Sequence, residues 1–174
     1  MSSGRTALLV AVPEAEEIVG TLRLDMDPVA RLGVPAHVTI LFPFIPAADV
    51  TDKTVDQLRT ILVGTPAFEY ALTSCQWFGN EVLWLAPDPA DRFRGLTRSI
   101  WRSFPDYPPY GGEFDDVIPH MTVADRADRR AMRSVEKDLE VRLPIRARAD
   151  EVTLMGEDPS GVWRRLAAFA LQQM

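Results

Sequence analysis

The chain holds two histidines, and each is followed two residues later by a threonine, in Pro35-Ala36-His37-Val38-Thr39-Ile40 and in Pro119-His120-Met121-Thr122-Val123. In an extended strand, side chains two apart share a face. His37 with Thr39, and His120 with Thr122, therefore project together, while Val38, Ile40, Met121 and Val123 turn to a core. Imidazole has an ordinary pKa of about 6.5, so its acid and base forms coexist near neutrality. Two imidazoles and two hydroxyls around one phosphorus form a set for breaking a phosphodiester. One ring deprotonates the attacking oxygen, the other protonates the leaving oxygen, and the hydroxyls donate to the non-bridging oxygens. The motifs do not say which ring is the base.

The elements that must position these groups follow from periodicity and punctuation. Ala7 to Val12 is an apolar run that reads as a buried strand, and Glu14 to about Leu24 reads as a helix with an acidic first turn. Asp27-Pro28 and Gly33 interrupt the chain before the first histidine strand, which is expected to run to about Phe42. Thr51 or Asp52 is placed to cap a helix through about Val63, with Val55, Leu58, Ile61 and Leu62 as its apolar stripe. Phe68–Trp77 and Glu81–Ala86 read as a hairpin turned at Phe78-Gly79-Asn80. A helix is expected from Asp88-Pro89 to about Phe104. The Pro- and Gly-rich stretch from Pro105 to Gly112 is a loop, and it leads into the second histidine strand. A helix from Asp125 or Asp128 to about Leu139 and two last strands, near Pro144–Met155 and Val162–Gln172, complete the chain. Hairpins mixed with crossovers indicate an α+β fold. The wide separation of the two motifs suggests two related lobes, each giving one strand to a shared cleft.

Composition narrows the chemistry. Cys75 is the single cysteine, and no third histidine exists, so a zinc site would have to be completed by carboxylates. No His-Glu-x-x-His run, Asp-rich calcium loop or Gly-x-x-x-x-Gly-Lys loop is present, and Lys53 and Lys137 sit in charged, helix-like surroundings. Catalysis is expected without a metal and without a cofactor. A net charge of −6 with a pI near 4.9 repels a long phosphate backbone. Small phosphorylated molecules or RNA ends remain the expected partners, not a long duplex. With 174 residues and 47% hydrophobic content, residues 1–174 are expected to form one domain, a monomer in the cytoplasm. The Ala7–Val12 run is too short to span a membrane.

Other side chains are weaker candidates. Tyr107 and Tyr110, on the loop just before the second motif, are placed to stack a base or to pack locally. Phe42 and Phe44 read better as core. Trp77 and Trp84 flank the hairpin and fit a sheet–helix interface better than a substrate. Arg126 follows the second motif and has the fork that suits phosphate, yet with Asp125 and Asp128 around it a solvated helix start is the simpler reading. Arg129, Arg130 and Arg133, interleaved with Glu136 and Asp138, read as an exposed helix face.

His37-Val38-Thr39-Ile40 and His120-Met121-Thr122-Val123 both match the His-x-Thr-x signature of the 2H phosphoesterase superfamily, which includes the bacterial 2′-5′ RNA ligase-like proteins and cyclic nucleotide phosphodiesterases. The order of elements and the chain length are also similar, so the chain resembles that family over nearly its whole extent. The resemblance implies a bilobal, pseudo-symmetric α+β fold, with two mainly antiparallel sheets around a central cleft and helices packed outside. It implies His37 and His120 as acid and base, and Thr39 and Thr122 as phosphate ligands. The implied activity is metal-independent hydrolysis of 2′,3′-cyclic phosphates of nucleotides or RNA ends, with 2′-5′ ligation as its reverse. Two alternatives are a phosphate- or RNA-end-binding module without turnover and a cyclic phosphodiesterase acting on a nucleotide-like metabolite. A binding module has no need of two groups that titrate near neutrality.

Overall fold

The two histidine strands end up as the edges of two different sheets. In the computed structural model, which describes residues 3–173, the first sheet is built from β1 (Thr6–Ala11), β2 (His37–Leu41), β7 (Glu151–Glu157) and β8 (Trp163–Ala170), in the order β2-β1-β7-β8. The second is built from β3 (Phe68–Phe78), β4 (Val82–Asp88), β5 (Met121–Asp125) and β6 (Ile145–Ala149), in the order β5-β4-β3-β6. Every neighbouring pair in both sheets is antiparallel.

Helices α1 (Pro13–Met26) and α4 (Asp91–Ser103) connect a strand to the histidine strand beside it, and each crosses to the other sheet on the way. The former leaves β1 and packs against β5 and β6; the latter leaves β4 and packs against β2. Pro13 opens α1, where the missing N–H costs nothing, and Glu14 and Glu16 lie in its first turn. A one-turn helix, α2 (Pro28–Arg31), starts where the Asp27 carboxylate accepts the Val29 amide. Thr51 and Thr54 form a reciprocal cap on α3 (Asp52–Leu62), and Asp128 caps α5 (Arg129–Glu140) through the Ala131 amide. These helices pack on β8 and β3 respectively. Val38, Ile40, Leu41, Met121, Val123 and Ala124 are all at most 1% exposed and belong to one cluster that joins both sheets. Burying an aliphatic side chain of this size contributes roughly 1.5–3 kcal/mol, which pins each histidine strand from its core side. Among the described residues no helix is long and apolar enough to cross a membrane.

Two sequence expectations need correction. The single strand expected over Pro144–Met155 is two strands in different sheets. Ala149 pairs with Phe68 in one sheet and Glu151 with Ala170 in the other. Asp150 between them gives its carbonyl to the Leu171 amide, so one residue carries the whole change of sheet. The helix expected from Asp88-Pro89 begins only at Asp91, because Asp88 still pairs with Ala71 as the end of β4.

Candidate active site

β2 and β5 pack against each other where the two sheets meet. The alternation read from the sequence is realised in both. Val38 and Ile40, and Met121 and Val123, are buried, whereas His37, Thr39, His120 and Thr122 are half-buried on the opposite side. Leu9 lies beside Thr39 in the first sheet, and Trp84 lies beside Thr122 in the second.

Both imidazoles are braced in the same way. His37 Nδ1 lies 2.8 Å from the Pro35 carbonyl oxygen, and His120 Nδ1 lies 2.7 Å from that of Ile118. A carbonyl oxygen only accepts, so Nδ1 is the protonated nitrogen in each ring and donates. Nε2 is left as the basic position. The bond runs in each case to the carbonyl two residues upstream.

The surroundings of the two rings differ. His120 borders a cavity of about 340 Å³ with Phe78, Tyr110, Phe114 and Ile118 in its wall. Phe78 meets the His120 ring edge-on at 4.9 Å and stacks on Trp84 at 4.7 Å. His37 and Thr39 border a smaller cavity of about 230 Å³, walled by Arg5, Phe42 and Trp163 among others. There the Arg5 guanidinium lies 5.9 Å from the Phe42 ring and 5.7 Å from that of Trp163. Glu157 holds it through two bonds, of 2.9 and 3.0 Å. Tyr110 links the two cavities. Its backbone is left-handed, with φ of 52°, its amide donates to the Phe42 carbonyl at 2.6 Å, and its phenol interacts with the Thr39 hydroxyl.

Burial pushes both imidazoles below their ordinary pKa. For His37 the value falls to about 4. Desolvation leads, the bond to the Pro35 carbonyl opposes it, and the charges of Arg23 and His120 add to the fall. For His120 burial again lowers the value against the Ile118 bond. Burial raises the Tyr110 phenol, against the bond with Thr39.

The remaining candidates are placed as follows. Tyr107 lines neither cavity and packs edge-on against Phe44 at 5.8 Å, over the core. Phe44 is core, as expected, and its neighbour Phe42 is half-buried in the His37 cavity. Trp84 is buried under His120, its rings 5.8 Å apart. Trp77 is fixed to α5, donating to Glu136 at 2.8 Å beneath the Arg133 guanidinium. Arg126 is exposed and pairs with Glu81 at 3.6 Å. Cys75 is half-buried against the core, and burial pushes its thiol up to about 11. Sequence reasoning missed Arg5, Phe78, Phe114, Ile118 and Trp163. Phe78 stood in the expected hairpin turn, and Arg5 and Trp163 come together only through sheet pairing. Among the described residues no group of three or more His, Cys, Asp or Glu side chains is gathered closely enough to hold a metal ion.

Comparison with known proteins agrees with this geometry. Residues 11–161 match the family model of the 2′-5′ RNA ligase superfamily. No curated protein sequence matches the chain. Among solved structures, the chain is similar to E. coli LigT in complex with 3′-AMP, with a TM-score of 0.66 at 18% identity over 98% of this chain and 99% of that one. It is also similar to TT0787 of Thermus thermophilus, with a TM-score of 0.65 at 19% identity over 97% and 98%. A structure described as a phosphoesterase aligns with a TM-score of 0.59 at 20% identity over 98% and 99%. At these identities the likeness establishes the fold.

Proposed function

The chain belongs to the 2′-5′ RNA ligase superfamily, within the 2H phosphoesterases, and on that footing we propose that it opens 2′,3′-cyclic phosphates of nucleotides or RNA ends with His37 and His120 as its acid–base pair. The observation that carries the reading is the matched brace. Two rings on facing sheet edges each have Nδ1 tied to a carbonyl and Nε2 left basic. Burial lowers the pKa of both rings, so either is free to serve as base; in one direction that base is His37. Its Nε2 accepts a proton from the attacking water as the new P–O bond forms. The phosphate's negative charge raises the pKa of a neighbouring imidazole, so His120 in the bound state carries the proton that passes to the departing ribose oxygen. Thr39 and Thr122 donate to the non-bridging oxygens as charge moves onto them. In the reverse direction, which joins a 2′-5′ linkage, the two roles exchange. No step calls for a metal or a nucleotide cofactor.

The aromatic cavity beside His120 suits the base, held by Phe78, Tyr110 and Phe114 through stacking, which tolerates any base because each has a π-face. Support for a small nucleotide comes from the net charge of −6 and from LigT, whose structures contain 3′-AMP, phosphate, ATP or NADP+. The test is a panel of 2′,3′-cyclic nucleotides and cyclic-phosphate-ended RNA followed by phosphorus NMR. Wild-type protein is expected to convert at least one of them, with a bell-shaped pH dependence. His37→Ala and His120→Ala are each expected to lose ~10²–10⁴-fold. Undiminished hydrolysis in both variants overturns the reading; phosphate binding with no turnover makes the chain a binding module.

A further inference from the structure

The approach to each histidine is gripped by an arginine from the crossing helix. Arg23 on α1 donates from Nη1 to the Val34 carbonyl at 3.1 Å, and Arg94 on α4 donates from Nε to the Val117 carbonyl at 3.1 Å. Val34 and Val117 each lie three residues before their histidine. The next carbonyl along, that of Pro35 or Ile118, is the one that takes the imidazole Nδ1 proton. Arg23 stands much closer in sequence to its histidine than Arg94 does, so no repeated motif accounts for the match.

A grip on one carbonyl orients the next when the torsions between them are restricted. Proline does this on both sides. Pro35 lies between the two carbonyls, and its ring fixes φ near −65°. Ile118 precedes Pro119 and is thereby confined to extended backbone. On the His37 side the segment is further held by Ala36, whose amide donates to Glu16 at 2.7 Å and whose carbonyl accepts from Val12 at 2.8 Å.

We propose that Arg23 and Arg94 are paired positioning residues, each of which fixes its histidine's Nδ1–H tautomer and the aim of Nε2 by clamping the carbonyl next to the one that holds the ring. The kinetic consequence rests on the function proposed above; the structural one does not. Arg94 is the cleaner test, since its partners Asp91 and Asp116 are exposed and its loss strands no buried charge. With two histidines in the chain, four imidazole nitrogens make up the whole nitrogen-15 spectrum of the rings.

In Arg94→Met the His120 nitrogens should move toward a tautomer mixture while those of His37 stay in place. Misplacement of a reacting group by ~1 Å costs on the order of 10²-fold, and a loosened ring should lower kcat about tenfold with KM nearly unchanged. Arg94→Lys should restore part of both. Arg23→Met combined with Asp27→Asn, which avoids an unpaired buried carboxylate, should reverse the pattern and move His37 alone. Unchanged His120 nitrogens in Arg94→Met overturn the proposal, as does an equal shift of both rings, which marks general loosening. If the wild-type protein converts no cyclic phosphate, the proposed function fails while the nitrogen spectra still decide the clamp.

Discussion

On the His37 side the clamping arginine is 2% exposed and its partner Asp27 is 3% exposed, whereas on the His120 side Arg94 is 31% exposed and Asp91 is 88% exposed. Removing one partner of a buried pair costs about 3–5 kcal/mol, and an exposed pair contributes about 0–1 kcal/mol. The two sheets thus present the same brace on foundations of unequal burial. The cavities follow the same division. The side with the buried clamp has the smaller cavity, bordered by Arg5 paired with Glu157, while the side with the exposed clamp has the larger one, walled by aromatic rings. If the two rings act as the acid–base pair proposed above, both must be aimed alike although only one is held through a buried ion pair.

The largest expected effect would break the equivalence of the two rings. If they act as one unit, the double variant His37→Ala with His120→Ala should hydrolyse a cyclic phosphate no more slowly than the worse single variant, because paired catalytic groups are strongly non-additive. Multiplied losses in steady-state rates would mean two independent contributions. Next come the hydroxyls. Thr39→Val and Thr122→Val should each lower kcat by about 10²-fold, the scale of losing one donor to a developing oxyanion. Tyr110→Phe sharpens the contrast, since only Thr39 has a phenol beside it. It should change the Thr39 background alone when the two substitutions are combined in pairs and their rates compared.

Smaller effects separate the cavities. Loss of one stacking ring costs ~1–3 kcal/mol per base, so Phe114→Ala should raise KM roughly tenfold with kcat retained, whereas Phe78→Ala, which also strips the ring packed edge-on against His120, should lower kcat as well. Phe42→Ala, on the other side, should leave mononucleotide KM almost unchanged. Smallest is a stability effect. His37 binds its proton more weakly folded than unfolded, so acidification favours the unfolded chain. Its contribution is complete above pH 6.5 and is progressively lost as pH falls toward about 4. Thermal unfolding of wild type should therefore be more acid-sensitive over that window than unfolding of His37→Gln.

The histidine strands were legible because burial on one face forces a period of two, and His-x-Thr between Val, Ile and Met leaves no other register for the polar pair. Thr51 and Asp128 announced their helices through side-chain oxygens placed to accept the third amide. The division at Asp150 was not legible, since no glycine or proline marks a break between the alternating residues of β6 and the start of β7, and only long-range pairing separates them. Tyr110 could not be told from Tyr107, as the distinction lies in one left-handed torsion within the loop. Arg5 and Trp163 approach each other only because β1 and β8 both pair with β7. The arginine grips escaped notice for a similar reason: Arg23 and Arg94 reach equivalent carbonyls from unequal distances along the chain.

The exchange of helices between the sheets has a mechanical outcome. Swinging the halves apart would peel α1 off β5 and α4 off β2, baring apolar surface to water along both seams. A clamshell motion therefore carries the cost of wetting both seams at once, so each sheet is held in place by a helix that belongs to the other.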